Sequence, residues 1–236
     1  MRNIYFIARR ELASYFVSPI AYSVGSAFLF ITGFLFYMIL LTGREASLRF
    51  LHSWMAFLLL IFAPVLTMRL LAEEHRSGTL ELLLTSPVRD GEVVVGKFLA
   101  AYGFFLAMLM PTFYYLLLLM RFGNPDVPAA LVGYLAVGLL GAAVLAIGVL
   151  TSALTQNQVV AAVLGIALCL GIWFLDAGAN VAPANVSNFL RYVSFPSHYL
   201  DLLRGVIDTT HFVYFLSLTL GALFLATRVL EARRWR

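Results

Sequence analysis

The sequence predicts an all-α integral membrane protein with six transmembrane helices, and the distribution of charge is the main reason. Five stretches contain no Asp, Glu, Lys or Arg for 19 residues or more: 12–43, 50–68, 98–120, 127–175 and 209–227. About 20 apolar residues in a helix cross a hydrocarbon core about 30 Å thick. The fourth stretch has 49 residues, which is enough for two spans joined by a turn at 155–158.

Composition supports the same class. Hydrophobic residues make up 62% of the 236-residue chain, charged residues make up 12%, and the mean hydropathy is +0.92. These values exclude an ordinary soluble domain. Six spans leave few residues for a folded unit outside the bilayer, so we expect residues 1–236 to form one transmembrane domain. The single cysteine, Cys169, excludes a disulfide within the chain.

The basic residues predict that both termini are cytoplasmic. With six spans, the termini, the 69–97 loop and the 155–158 turn share one side, which holds eleven of the 16 Lys and Arg residues. Cytoplasmic segments of membrane proteins carry an excess of Lys and Arg. This orientation accounts for the pI of about 9.4, so we do not expect nucleic acid as a partner.

Residues 2–18 are too charged to cross the membrane and too apolar to stay fully in water. On a helical wheel Ile4, Tyr5, Ala8 and Leu12 share one broad face, and the charged residues occupy a narrow wedge. This pattern predicts an interfacial helix that remains in the mature protein. An ordinary basic leader beside the first span is the alternative. Pro19 separates this segment from span 1, residues 20–41.

Spans 2 and 3 are predicted at 53–70 and 94–120. Pro64 and Pro111 lie inside them, and a proline in a helix removes one hydrogen bond and clashes with the preceding turn. We therefore expect both helices to kink or unwind locally. Such breaks permit movement in transporters, although prolines are also common in membrane helices in general.

Spans 4 and 5 are predicted at 129–154 and 159–175, and both are rich in Gly and Ala. Small residues let helix backbones approach closely in a membrane. They predict close packing within the subunit, with a seam between two copies as the alternative.

The segment 176–210 is expected to be the longest one outside the cell. It contains apolar groups too short to cross a membrane, interrupted by Pro183 and Pro196. We expect two short re-entrant helices that dip into the outer leaflet. Span 6 follows at 212–230, and a basic tail with Trp235 ends the chain.

The loop between spans 2 and 3 carries the most unusual pattern. After Ser77-Gly78 comes a short leucine-rich segment that stops at Pro87, and Ser77 or Thr79 can cap its N-terminus. A short helix with exposed leucines needs a surface to pack against, either the membrane face or a soluble partner. A solvated connecting loop is the alternative, but such loops rarely contain Leu-Glu-Leu-Leu-Leu.

The loop contains a series of short motifs: Glu73-Glu74, Gly78-Thr79-Leu80-Glu81, Leu83-Leu84 and Ser86-Pro87-Val88, followed by Gly96-Lys97 at the next span. With these motifs the loop resembles that of the permease subunits of ABC-2-type transporters. The resemblance extends along nearly the whole chain. Residues 10–22 and 204–208 look like the branch associated with gliding motility and, more loosely, the branch serving copper-enzyme maturation.

The resemblance implies a function and a set of site residues. The segment 73–87, here called the coupling segment, would form a coupling helix that docks on a separate ATP-binding subunit. The docking residues it implies are Glu73, Glu74, Arg76, Gly78, Thr79, Leu80, Glu81, Leu82, Leu83, Leu84 and Pro87.

The resemblance also implies the surroundings of the chain. The partners would be two ATP-binding subunits, a second copy or a related permease, membrane lipid and an auxiliary periplasmic protein. The chain would need no cofactor, because ATP and Mg²⁺ would be bound by the ATP-binding subunit. It would be a multi-pass exporter subunit of the bacterial cytoplasmic membrane and not itself an enzyme.

Two competing motifs are incomplete. Residues 91–97 fit the first seven positions of a P-loop, but the eighth, which must be Ser or Thr, is Phe98. Glu73-Glu74 resembles the start of the CAAX-protease motif, but the position that requires Arg is Gly78. His198 and Asp201 are spaced to meet on a helix, yet two ligands make a weak metal site.

Two other classes of function stay open on the residues alone. One is an ATP-independent channel or secondary transporter, which usually places ionisable groups or broken helices at mid-membrane. The other is a membrane-embedded enzyme, for which the spans lack a nucleophile–base pair or a metal set. The charge-free spans are compatible with a lipid, a lipid-linked polymer or another hydrophobic compound as substrate.

Overall fold

The computed structural model describes residues 2–42, 47–78 and 89–234, and every regular element in them is helical. In chain order the elements are α1 (Arg2–Val17), α2 (Pro19–Thr42), α3 (Arg49–Thr67), α4 (Arg69–Ser77), α5 (Asp90–Leu109), a 3-10 turn (Met110–Thr112), α6 (Phe113–Phe122), α7 (Val127–Leu154), α8 (Gln158–Ala179), α9 (Ala184–Val193), α10 (Phe195–Leu203) and α11 (Thr209–Arg234).

Six helical segments in the described residues are long and apolar enough to cross a membrane, as the sequence predicts. They are Pro19–Thr42, Arg49–Ser77, Asp90–Phe122, Val127–Leu154, Gln158–Ala179 and Thr209–Ala232. An even number of crossings brings α1 and the C-terminal end of α11 to the same end of the bundle. We call this the α1 end and the opposite one the far end.

Helix α7 forms the centre of the bundle, and its glycines explain how other helices approach it. A Cβ at Gly148 would lie 2.0 Å from Oγ1 of Thr67 in α3, and one at Gly141 would lie 2.4 Å from the Phe105 ring in α5. Contacts this short leave no space for a methyl group. The small residues of this span therefore serve packing inside the chain.

The spans are interrupted at two places near prolines. Pro111 lies in the 3-10 turn that separates α5 from α6. Pro64 lies inside α3, which continues to Thr67, and the helix is interrupted at Met68 before α4 begins. Together α3 and α4 form the helical segment Arg49–Ser77, which contains the predicted span 53–70.

Helix α1 forms where the interfacial helix is predicted and packs along α5. A Cβ at Gly96 would lie 2.8 Å from Cγ2 of Ile7, so only glycine allows this approach. Tyr5, Phe6 and Val17 are exposed on α1, which leaves an apolar surface for the headgroup region of a bilayer.

Two short helices, α9 and α10, form in the 176–210 segment at the far end, where the sequence predicts two. They differ in their surroundings. Phe195 and Tyr199 of α10 are fully buried, and the Tyr199 hydroxyl donates to the His52 carbonyl at 2.7 Å. Phe189 and Tyr192 of α9 are exposed, so α10 is part of the core and α9 lies at the surface.

Candidate functional site

A serine from α7 holds the junction between α3 and α4. The Ser152 hydroxyl accepts hydrogen bonds from the amides of Leu71 and Ala72 at 3.0 and 3.1 Å and donates to the Met68 carbonyl at 2.9 Å. The first amides of a helix lack partners within that helix, so Ser152 acts as an N-terminal cap supplied by another span. It ties the start of α4 to the centre of the bundle.

Helix α1 holds the same junction from the other side. The Tyr15 hydroxyl donates to the Leu66 carbonyl at 2.8 Å, and the Arg69 guanidinium lies 5.2 Å from the centroid of the Tyr15 ring. Arg69 also donates to the Ser18 hydroxyl at 2.7 Å. Burial raises the pKa of Tyr15 far above its usual value, so this hydroxyl stays a neutral donor.

Below this junction, the buried ammonium of Lys97 joins three helices. Lys97 is 1% exposed, and its Nζ lies 3.0 Å from Oε1 of Glu11 in α1 and 2.8 Å from Oε1 of Glu74 in α4. Arg10 adds a second cation, 3.2 Å from Glu11 and 4.0 Å from Glu74. Two carboxylates thus face two cations, which satisfies the requirement that a buried charge be paired.

The electrostatics of Glu11 favour its ionised form in this group of side chains, here called the Lys97 cluster. Burial acts to raise the pKa of the Glu11 carboxyl. The Lys97 ammonium and the hydrogen bonds from Lys97 and Arg10 outweigh burial, and the pKa is lowered. A carboxylate that stays charged near neutral pH keeps its partners in place.

The Lys97 cluster and its neighbours hold both ends of the stretch 79–88. Helix α4 leads into this stretch and ends at Gly78, whose φ of 71° is a left-handed conformation that favours glycine. Helix α5 leads out of it. The Glu92 carboxylate there accepts from the Arg89 amide at 3.2 Å and from the Asn3 side chain at 3.1 Å. Helices α4 and α5 are therefore both anchored to α1.

The predicted docking residues fall into three groups. Glu73 and Arg76 are exposed on α4, and Glu74 turns inward to the Lys97 cluster. Gly78 ends α4. The others lie outside the described residues: Thr79, Leu80, Glu81, Leu82, Leu83, Leu84 and Pro87.

Beside α4, the α1 end carries an open polar cavity of about 660 Å³. It is lined by Arg76 and by residues at the turn between α7 and α8: Leu154, Thr155, Gln156 and Asn157. Its lining offers a guanidinium and side-chain amides. It thus adds a polar surface close to the coupling segment.

Sequence reasoning did not identify Lys97, Glu11, Tyr15 or Ser152 as site residues. A signal existed for Lys97, which lies four positions inside the predicted third span. A charged residue at such a place requires a partner. The partners come from 86 and 23 residues away in sequence, and spacing alone does not indicate them.

The structure also shows where the residues of the competing motifs lie. Residues 91–97 are part of helix α5 rather than a phosphate-binding loop, and the Lys97 ammonium is already paired. In the described part of the chain, no group of three or more His, Cys, Asp or Glu residues could hold a metal ion. His198 instead pairs with His211, with their Nδ1 atoms 3.0 Å apart.

Comparison with known proteins gives the identity of the fold. No curated protein matches the chain. The sequence profile described as "ABC-2 family transporter protein" matches residues 10–234, a range that includes α4, α5 and the whole Lys97 cluster. A six-span helical bundle is consistent with this match. The chain therefore belongs to the ABC-2 transporter family.

Proposed function

We propose that this chain is the permease subunit of an ATP-binding-cassette exporter, and that separate ATP-binding subunits drive it through the coupling segment. Family membership supports a transport role in a multi-pass membrane protein. The observation that carries the mechanical part is the Lys97 cluster. It joins the helix that enters the stretch 79–88 to the helix that leaves it, and both to α1.

The described contacts suggest how force would pass into the membrane. A push on the residues between α4 and α5 would reach α4, which Ser152 and Glu74 attach to α7 and α5. The helix interruption at Met68 would act as the joint between this lever and the second span. Because α4 and α5 share the buried ammonium of Lys97, they would move together rather than separately.

Leucine side chains would provide the apolar contacts with the ATP-binding subunit. In this proposal Leu80, Leu82, Leu83 and Leu84 pack in a cleft of that subunit, and Glu81 sets the register. The exposed side chains of Glu73 and Arg76 on α4 would add polar contacts. The cavity beside Arg76 would extend the contact to the turn between α7 and α8. ATP and Mg²⁺ would be bound in the partner.

The proposal includes a second permease copy or a related permease, because three spans are poorly covered. Only 28%, 22% and 33% of the residues in the most apolar windows of the first, fifth and sixth spans are buried, against 61% and 72% in the third and fourth. A pathway would form between the two permeases, with lipid around them. We also propose two ATP-binding subunits per complex.

We further propose that the α1 end faces the cytoplasm of a bacterial cell and that the membrane is the cytoplasmic one. The excess of basic residues at that end supports this orientation. The stretches 10–22 and 204–208 favour the gliding-motility-associated branch, and an auxiliary periplasmic protein would then meet the far end.

Co-purification tests the docking role. The chain is expressed with a candidate ATP-binding subunit from the same cell, and the amount of that subunit retained is measured. We expect Leu83→Asp and Glu81→Arg to reduce retention several-fold. Phe189→Asp, which places the same charge on an exposed aromatic residue of α9, should have no effect. Equal retention by all variants, or labelling that places residues 79–88 outside the cell, would contradict the proposal.

A further inference from the structure

A lateral groove between the third and fourth spans has no role in the coupling described above. It encloses about 620 Å³ and is lined mainly by apolar side chains of α5, the 3-10 turn, α6 and α7. Leu106, Met110, Leu131 and Leu135 form its open lips, and they are 40%, 70%, 49% and 44% exposed. The volume lies in the range of small-molecule sites, which is about 300–1,000 Å³.

Sequence position places this groove inside the hydrocarbon layer. Its lining on α5 and α6 runs from Tyr102 to Phe113, and its lining on α7 runs from Leu131 to Leu139. Both ranges fall within charge-free stretches of the sequence. At 1.5 Å per residue, Tyr102 to Phe113 covers about 16 Å, which is about half the hydrocarbon thickness.

The groove exists because of two local features. The 3-10 turn at Pro111 interrupts the helix that forms one wall. Gly138 and Ala107 line the groove with small residues, where larger side chains would fill it. A Cβ at Gly138 would have only the Tyr102 hydroxyl nearby, at 3.7 Å. The space is thus set by the sequence rather than by loose packing.

Polar groups freed by the interruption are satisfied from within the chain. The Thr112 hydroxyl donates to the Leu109 carbonyl at 2.6 Å, and the Tyr134 hydroxyl donates to the Thr112 carbonyl at 2.6 Å. The wall therefore presents mostly carbon to its occupant. A hydrocarbon chain fits such a wall, because it needs no hydrogen-bond partners.

We propose that this groove binds one acyl chain of a membrane lipid. Its depth in the bilayer, its length of about one leaflet and its apolar wall all match that ligand. A helix of a second permease fits this groove less well than an acyl chain does, because helix packing requires a broader face. The groove is a cleft between the two spans whose windows are 61% and 72% buried, whereas broader uncovered faces lie on the first, fifth and sixth.

Photolabelling tests the proposal without any ATP-binding subunit. The chain is reconstituted in nanodiscs of phosphatidylethanolamine and phosphatidylglycerol with a small fraction of phospholipid carrying a diazirine in its acyl chain. After illumination, lipid adducts are mapped by mass spectrometry. We expect the groove peptides to be labelled several-fold more than the peptide around Ile61 of α3, which is 37% exposed and lies outside the groove lining.

Filling the groove should remove this excess. Leu135→Trp narrows it at an exposed lip, and Leu164→Trp is the control at matched exposure. Gly138→Leu fills the floor, and Gly171→Leu is its control, since a Cβ at Gly171 meets nothing within 4 Å. We expect the first variant of each pair to lower groove labelling several-fold and the second to leave it unchanged.

Three results would overturn the proposal. Groove labelling equal to that around Ile61 would mean ordinary contact with bulk lipid. Labelling unchanged in both filling variants would place the lipid elsewhere. Efficient disulfide formation between two copies through Leu135→Cys would assign the groove to a protein interface.

Discussion

The Lys97 ammonium lies 2.8 Å from Oε1 of Glu74, although the two residues belong to helices that are separated in sequence by the stretch 79–88. The same ammonium reaches Glu11 in α1 at 3.0 Å. One buried cation thus fixes the relative positions of three helices at the α1 end. Any movement of α4 must be shared with α5 and α1 or must break this cluster.

Removing the cation should be costly. Lys97→Met leaves Glu11 and Glu74 without their shared partner, and breaking one side of a buried ion pair costs about 3–5 kcal/mol. We expect a clear loss of thermal stability in detergent, measured by size-exclusion chromatography after heating. Adding Glu11→Gln and Glu74→Gln to Lys97→Met should recover most of the loss. A triple variant no more stable than Lys97→Met would refute the ion-pair explanation.

The Ser152 cap should be needed for the helix junction. Ser152→Ala leaves the amides of Leu71 and Ala72 without their acceptor in a buried place, which costs about 1–3 kcal/mol. Hydrogen exchange of α4 should become faster. Ser23→Ala is the control, because Ser23 is exposed and donates only to the Pro19 carbonyl of its own helix. Equal protection of α4 in wild type and Ser152→Ala would contradict the capping role.

Gly148 should tolerate no side chain. A Cβ there would lie 2.0 Å from Oγ1 of Thr67 and 3.3 Å from Cα of Pro64, so Gly148→Ala must push α3 away from α7. We expect a destabilisation of about 1–3 kcal/mol, as for other overpacked cores, seen as a lower midpoint in a thermal assay. Gly171→Ala, in open space, should leave the midpoint unchanged. The packing account fails if the two variants behave alike.

The helices at the far end should become less stable at acidic pH. Nε2 of His198 lies 2.9 Å from the Tyr192 carbonyl, and its Nδ1 lies 3.0 Å from Nδ1 of His211. Because a carbonyl only accepts, His198 donates from Nε2 to Tyr192, and in its neutral form its Nδ1 accepts from His211. Burial lowers the pKa of His198 below its usual value of 6.5, and the bond to Tyr192 opposes this only in part.

The sign of the pH effect follows from that lowered pKa. The unfolded chain binds a proton at His198 more readily, so the stability from this group is fully present above pH about 6.5 and is lost as pH falls through the lower folded pKa. We expect the thermal midpoint to fall between pH about 7 and about 5. His198→Gln should flatten this dependence. An equally steep profile in the variant would exclude His198 as the cause.

Much of the fold was predictable because membrane insertion constrains sequence strongly. The six spans follow from runs without charge, and α9 and α10 follow from short apolar groups between Pro183 and Thr209. The position of the interruption in the second span was not predictable. Pro64 indicates a break near it, whereas the break lies at Met68, whose carbonyl accepts a hydrogen bond from Ser152, 84 residues away.

The candidate site was predictable only in part, for a similar reason. The resemblance of the loop to ABC-2 permeases predicts the docking residues from Glu73 to Pro87, and most of these lie outside the described residues. The Lys97 cluster combines residues from three separate helices, and no local pattern links them. A lysine four positions inside a predicted span was the available signal, and the identity of its partners required the tertiary structure.

The stimulation of ATP hydrolysis tests most directly whether the Lys97 cluster couples the ATP-binding subunit to the spans. Glu74→Gln keeps the shape of the side chain, leaves Lys97 its bond to Glu11, and weakens the link between α4 and α5. Glu231→Gln, which alters an exposed pair with Arg228 at the same end, is the matched control. In complexes of equal composition, we predict that Glu74→Gln loses most of the stimulation that the wild-type chain gives and that Glu231→Gln keeps it. Full stimulation by Glu74→Gln would contradict the proposed role of the cluster.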